Sequence, residues 1–123
     1  AEKLIRKFMP GPITLVLRKN ITLPECVAGN KDTIAIRMAT SKALEELITK
    51  LKCPIFMTSA NQSGEPECSN LDEIEKNCPL LDGMLEGKVT FSKGSTIVDC
   101  TSKDIKILRE GPISITQLKS IID

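Results

Sequence analysis

The stretch "MPGPITLVL", residues 9–17, decides the centre of the predicted fold. Pro10 and Pro12 cannot continue the helix that the apolar spacing of residues 1–8 predicts, so the chain must leave that helix here. Every residue of the following "ITLVL" is either β-branched or leucine, which is typical of a strand buried on both faces. We therefore predict a helix over 1–8 and a central strand over 13–17.

Two further apolar runs lie downstream of the central strand. "TIAIRM" (33–38) and "PIFMT" (54–58) both read as strands, and residues 41–52 between them have the spacing of an amphipathic helix with Ser41 as its N-cap. A strand–helix–strand order of this kind predicts a parallel crossover over 33–58.

The C-terminal half predicts a helix, a hairpin and a last helix. Asn70 and Glu73 stand at capping-box spacing at the start of a helix over 70–77, and Ser114 with Gln117 repeats that spacing before the final helix. Residues 93–101 and 104–111 read as a hairpin, and residues 79–87 suit either a short strand or a turn. The fold class is therefore α/β, a twisted open mixed sheet with flanking helices in one domain over 1–123.

Composition excludes several classes of function. The chain has 123 residues, 41% of them apolar, with 17 basic against 16 acidic side chains and a net charge of +1. This balance is no electrostatic footprint for strong binding of nucleic acid or membranes. No apolar window approaches the roughly 18 residues of a membrane span, so no membrane association is expected.

The cysteine and histidine content narrows the chemistry further. Five scattered cysteines form no Cys-x-x-Cys pair and there is no histidine, which argues against a zinc site and suits reduced thiols in the cytoplasm. Serine or cysteine nucleophiles activated by histidine cannot be built from this chain alone. Any catalysis must rest on positioning and electrostatics, or on a metal that arrives with the substrate.

Polar residues stand at the ends of four predicted strands. Arg37 lies within an apolar run, where it either meets an anion or lies on an exposed edge. Arg109, before a Gly-Pro turn, could clamp a phosphate or pair with a nearby carboxylate. "TSANQSGEP" (58–66) and "GST" (94–96) offer hydroxyls, amides and backbone N–H groups to a small polar ligand, although composition alone favours an ordinary turn for the first.

Four segments, in order, resemble one family. "KFMPGPITLVL" is similar to its PGP-[IL]-T motif, "TIAIRM" to its arginine-bearing strand, "TSANQSGEP" to its SAN-x-SG-x-P loop, and "GSTIVD" with "ILREGPIS" to its last pair of motifs. Together they resemble the YrdC-like family of threonylcarbamoyl-AMP synthases across residues 7–114. The resemblance implies a YrdC-like fold.

The resemblance also implies a function. Synthases of this family condense L-threonine, bicarbonate and ATP, with Mg²⁺ carried by the ATP, into threonylcarbamoyl-AMP and pyrophosphate. A transferase complex then uses this product for the t6A modification of tRNA. The implied ATP-binding residues are Thr33, Ser59, Asn61, Glu67 and Arg109. The implied threonine-binding residues are Arg37, Met57 and Ser95, with Met57 contributing only backbone groups.

The family's PT-[ED]-T-x-Y-G-L motif and Lys-x-Arg element are not found in these 123 residues. The chain therefore resembles the C-terminal two-thirds of the domain, and we expect it to have little turnover alone. Two alternatives stay open, a non-catalytic fragment and a module of the same fold that binds tRNA or double-stranded RNA.

Overall fold

The computed structural model describes residues 1–87, 91 and 93–122. Contacts divide the chain into two compact units, one made of residues 1–52 with the chain from 93 onward, the other lying within 53–92. The elements along the chain are α1 (Glu2–Phe8), β1 (Ile13–Arg18), a 3₁₀ turn (Glu25–Ala28), β2 (Thr33–Ile36), α2 (Lys42–Leu51), α3 (Leu71–Asn77), β3 (Thr96–Asp99), β4 (Lys106–Arg109) and α4 (Ile115–Ile122).

The first unit is built on a four-stranded mixed sheet in the order β2-β1-β3-β4. The central strands β1 and β3 are parallel, whereas β2 and β4 each run antiparallel to their neighbour. The mixed sheet and the hairpin formed by β3 and β4 confirm the predictions from sequence. The central place of β1 follows from its apolar sequence, because a central strand has neighbours on both edges and needs apolar side chains.

Alternation along the strands separates a core face from a second face. Ile13 and Leu15 on β1 are fully buried, and so is Val98 on β3, while Thr14 and Val16 between them are only half-buried. Helices α1 and α4 pack on the core face, since Leu4 and Leu118 belong to the same buried cluster. The second face of the sheet is therefore the one that carries the polar side chains.

One strand prediction is wrong. Residues 54–58 have no regular secondary structure, so the predicted parallel crossover over 33–58 does not form, and β2 instead pairs antiparallel with β1. Phe56 is 80% exposed and Met57 is 60% exposed. An apolar run becomes a strand only where another strand accepts its backbone hydrogen bonds, and the four described strands do not do so for this run. Residues 79–87 also form no strand.

The predicted helices are confirmed, but their first turns are not stabilised in the same way. In the second unit, Asn70 Oδ1 accepts the Glu73 backbone N–H at 2.9 Å, so the N-cap of α3 is as predicted. Ser41 is the N-cap residue of α2, but its side chain makes no capping bond there. Helix α2 is therefore held by its own backbone ladder rather than by a cap.

No helix within the described ranges is long and apolar enough to cross a membrane. All five cysteines are free thiols.

Candidate functional site

Three of the predicted site residues lie at one edge of the sheet. Arg37 directly follows the end of β2, Ser95 directly precedes β3, and Arg109 is the last residue of β4. Because β2 and β4 run opposite to β1 and β3, these positions meet at the same edge even though two are strand ends and one is a strand start. The edge is thus not a row of carboxyl ends, as in a fully parallel sheet.

Arg109 is fixed by Ser95 at this edge. Arg109 Nε donates to the Ser95 carbonyl oxygen at 3.0 Å, and its Nη2 donates to Ser95 Oγ over a longer distance of 3.4 Å. Ser95 is 94% buried, whereas Arg109 is exposed. The guanidinium is therefore held in place by two hydrogen bonds to Ser95, and a fixed guanidinium is what an anion clamp needs.

Thr14 joins this pair and was not among the predicted site residues. Thr14 Oγ1 and Ser95 Oγ are 2.7 Å apart, a short hydroxyl–hydroxyl hydrogen bond between β1 and the start of β3. The signal in the sequence was a single threonine inside the run "ITLVL", which the apolar pattern hid. Only the register of the sheet brings this hydroxyl to Ser95.

Thr96 fixes the turn that follows Arg109. Its fully buried hydroxyl accepts the backbone N–H groups of Gly111 and Ile113, each at 3.0 Å, and donates to the Ile113 carbonyl at 2.9 Å. A Cβ atom on Gly111 would collide with the backbone of Gly94 and come within 2.6 Å of the Thr96 nitrogen. This close backbone approach is the reason for a glycine here.

Thr33, the first residue of the outer strand β2, is the one remaining predicted residue of the first unit. Thr33 pairs with Arg18 at the far end of β2, about 13 Å along the strand from Arg37. Their spacing of four residues puts both on the same face of the sheet if the strand alternation continues to Arg37. Arg37 is exposed, and β2 and β4 are separated by three strand spacings, about 14 Å.

The other four predicted residues belong to the second unit. Met57 and Ser59 are exposed and precede a turn in which Gly64 has a φ of +88°. Asn61 fastens this turn, since its Nδ2 donates to the carbonyl oxygens of Gln62 at 2.9 Å and Glu65 at 3.0 Å. These two carbonyls fix the orientation of the amide, and they leave Asn61 Oδ1 buried without a hydrogen-bond partner.

A polar groove of about 470 Å³ lies beside this turn. Glu67 lines it together with Glu65 and Glu73, so the groove is negatively charged and does not favour phosphate groups. Hydrogen bonds from the Ser69 backbone and hydroxyl and from Asn70 lower the pKa of Glu73 and keep it ionised. A nucleotide contact by Glu67 would therefore involve its backbone or an uncharged part of the nucleotide.

The family model and the individual relatives that match this chain point to the same family. Residues 1–111 match the model of the Sua5/YciO/YrdC family, which is described as "Telomere recombination". A curated protein of Methanocaldococcus jannaschii is 39% identical over 96% of this chain, and the match covers 56% of that protein. The threonylcarbamoyl-AMP synthase of Pyrococcus abyssi is 32% identical over 99% of this chain, which spans 36% of it. The chain thus spans about a third to just over half of these relatives.

Solved structures agree with the sequence matches. Pyrococcus abyssi Sua5 complexed with L-threonine matches 98% of this chain at 31% identity with a TM-score of 0.85, covering 36% of that protein. Escherichia coli YciO matches 94% of this chain with a TM-score of 0.75, covering 57% of that protein, and at 22% identity it supports the fold alone. The sheet and its flanking helices are therefore a YrdC-like fold.

Proposed function

The chain belongs to the Sua5/YciO/YrdC family, and on that premise we propose that the whole protein is an L-threonylcarbamoyladenylate synthase. It forms threonylcarbamoyl-AMP and pyrophosphate from L-threonine, bicarbonate and ATP. The relatives that carry this name and the relative solved with L-threonine support the proposal. A transferase complex that modifies tRNA is the proposed consumer of the product.

The observation that carries the proposal is the pair of arginines at one sheet edge. Arg109 is clamped to Ser95, and Arg37 directly follows the other outer strand, β2, which is three strand spacings, about 14 Å, from β4. An amino acid carboxylate and a nucleotide phosphate are two anions that need two separate cations. We assign Arg37 to the threonine carboxylate and Arg109 to the phosphates of ATP.

The remaining residues take roles that match their chemistry. Ser95 and the backbone of Met57 hold threonine in this proposal. The ATP is held by Thr33, Ser59, Asn61 and Glu67 in addition to Arg109. Asn61 can contribute only its Oδ1 acceptor, because both N–H bonds already hold the turn. It therefore receives a donor or the Mg²⁺ that arrives with ATP, and it does not donate to a phosphate oxygen.

The proposed reaction needs no general acid or base from histidine. Threonine's amine adds to carbon dioxide derived from bicarbonate and gives a carbamate, whose oxygen attacks the α-phosphate of ATP as pyrophosphate leaves. The protein aligns two anions and neutralises the charge that develops between them, for which arginines, hydroxyls and backbone N–H groups suffice.

Pyrophosphate release by the whole protein tests this proposal. We expect release from ATP only when both L-threonine and bicarbonate are present, with threonylcarbamoyl-AMP identified by mass spectrometry. Release that is indifferent to threonine would mean that another acceptor is used, and the proposal would then be wrong.

A further inference from the structure

We propose that Thr14 is a positioning residue that makes Ser95 a hydrogen-bond donor toward an acceptor oxygen of the bound amino acid. The inference rests on the proposed function, because it takes threonine as the occupant next to Ser95. It adds a residue of the central strand to a group of site residues that otherwise lie at strand ends of the first unit.

The Ser95 hydroxyl can make only a limited number of hydrogen bonds. A hydroxyl has one donor and two acceptor positions. Arg109 can only donate, so its Nη2 at 3.4 Å takes one acceptor position of Ser95 Oγ. The contact of 2.7 Å with Thr14 then takes either the second acceptor position or the single proton.

The charge around Ser95 decides between these two directions. The cationic Arg109 approaches Ser95 through both its Nε and its Nη2, so the Ser95 proton is driven to the side away from the guanidinium. Arg37 at the same edge makes an anionic ligand the favoured occupant, and an anion accepts hydrogen bonds. If Thr14 donates to Ser95 Oγ, the Ser95 proton is left for that ligand.

The opposite direction, with Ser95 donating to Thr14, would leave Ser95 no proton for the ligand. Were Ser95 to donate to Thr14, the buried Ser95 hydroxyl would offer only a lone pair to its surroundings, beside a carboxylate or phosphate that also offers lone pairs. Two acceptors facing each other in a buried setting are unfavourable. The arrangement therefore works as a short chain in which Thr14 donates to Ser95 and Ser95 donates to the ligand.

Substitutions of Thr14 in the whole protein test the chain of hydrogen bonds. Thr14→Val keeps the shape and removes the donor, and we expect the KM for L-threonine, and its Kd by calorimetry, to rise about tenfold while the KM for ATP changes less than about twofold. Thr14→Ser keeps the donor and should stay close to the wild type. Thr49→Val is the matched control, since the Thr49 hydroxyl donates to the Glu45 carbonyl on α2.

A double variant separates positioning from a general loss of structure. In a Ser95→Ala background, Thr14→Val should have no further effect on threonine binding, because Thr14 acts through the Ser95 hydroxyl. Additive losses, equal losses for both substrates, or a Thr14→Val protein that binds threonine like the wild type would each overturn the inference.

Binding measurements also keep this inference apart from the proposed function. A wild type that binds threonine without releasing pyrophosphate contradicts the synthase proposal, while a selective loss of binding in Thr14→Val would still support the inference. A wild type that binds no threonine contradicts both.

Discussion

In each unit, one polar side chain of the predicted site has most of its hydrogen-bonding groups occupied. Asn61 Nδ2 donates to the carbonyl oxygens of Gln62 and Glu65, and Asn61 Oδ1 is a buried acceptor without a hydrogen-bond partner. Ser95 accepts from Arg109 and contacts Thr14. Counting donors and acceptors therefore shows, for each of these two residues separately, which hydrogen bonds it can still make to a ligand.

Replacing Arg37 should affect one substrate more than the other. In the whole protein, Arg37→Ala removes the proposed partner of the threonine carboxylate, a loss of about 1.5–3 kcal/mol. We expect the KM for threonine to rise about 10- to 100-fold and that for ATP to change little, measured by pyrophosphate release. Arg6→Ala on α1 is a control for loss of an exposed charge. Equal effects on both substrates would refute the assignment.

Replacing Asn61 should loosen its turn. Asn61→Asp turns a double donor into a carboxylate that faces two carbonyl oxygens, so the turn loses both bonds. We expect faster hydrogen exchange at the amide of Glu65, which donates to the Gln62 carbonyl, and no change at the Cys78 amide in α3. Unchanged exchange at Glu65 would show that the amide does not hold the turn.

At the scale of elements, the hairpin and the turn after it act as one support for Arg109. Thr96 on β3 binds the backbone at Gly111 and Ile113, which lie between β4 and α4. The hydroxyl lies in the core, where a hydrogen bond left unmade is costly. The position of Arg109 is thus set from inside the fold.

Gly111→Ala tests this support. The added methyl group meets backbone atoms of Gly94, Ser95 and Thr96, which cannot swing away as a side chain would. We expect the free energy of unfolding to fall by about 1–3 kcal/mol in urea denaturation. The control Gly83→Ala adds its methyl group where nothing lies within 4 Å. If both variants have the stability of the wild type, the close packing at Gly111 does not contribute to the stability of the fold.

The start of α3 should respond to acid. The pKa of Glu73 in the folded chain lies below the ordinary value of 4.5, because the carboxylate accepts hydrogen bonds from Ser69 and Asn70. The stabilisation by ionised Glu73 is therefore complete above pH 4.5 and is lost as the pH falls through the lower folded value. The Ser69 amide proton, which Glu73 accepts, should report this titration by NMR. In Glu73→Gln the same signal should lose that pH dependence. A titration midpoint at or above 4.5 in the unmodified chain would contradict the prediction.

At the scale of the whole molecule, the chain covers only part of the length of its relatives. It spans 36% of the Pyrococcus abyssi synthase, and many large apolar side chains are exposed, among them Phe56 and Leu80 at 80% and 96%. Residues 1–123 alone should therefore release pyrophosphate at least about 100-fold more slowly than Pyrococcus abyssi Sua5 under threonine-dependent conditions. Comparable rates from the two proteins would show that these residues suffice.

The sequence by itself determined the elements that depend on local chemistry. The two prolines ended α1, Asn70 and Glu73 began α3, and the apolar run of β1 predicted the central strand. The motifs also predicted which residues form the site, and those assignments remain predictions. Each of these inferences uses only near neighbours in the chain, which the sequence states directly.

Only the tertiary structure decided what depends on distant partners. The run at 54–58 has strand composition but no strand pairing, because pairing needs a neighbour that composition cannot supply. The register of β1 against β3 brought Thr14 to Ser95, 81 positions apart, and thereby added a residue to the site. Hydrogen bonds of this range follow from the order and direction of strands, which local sequence does not encode.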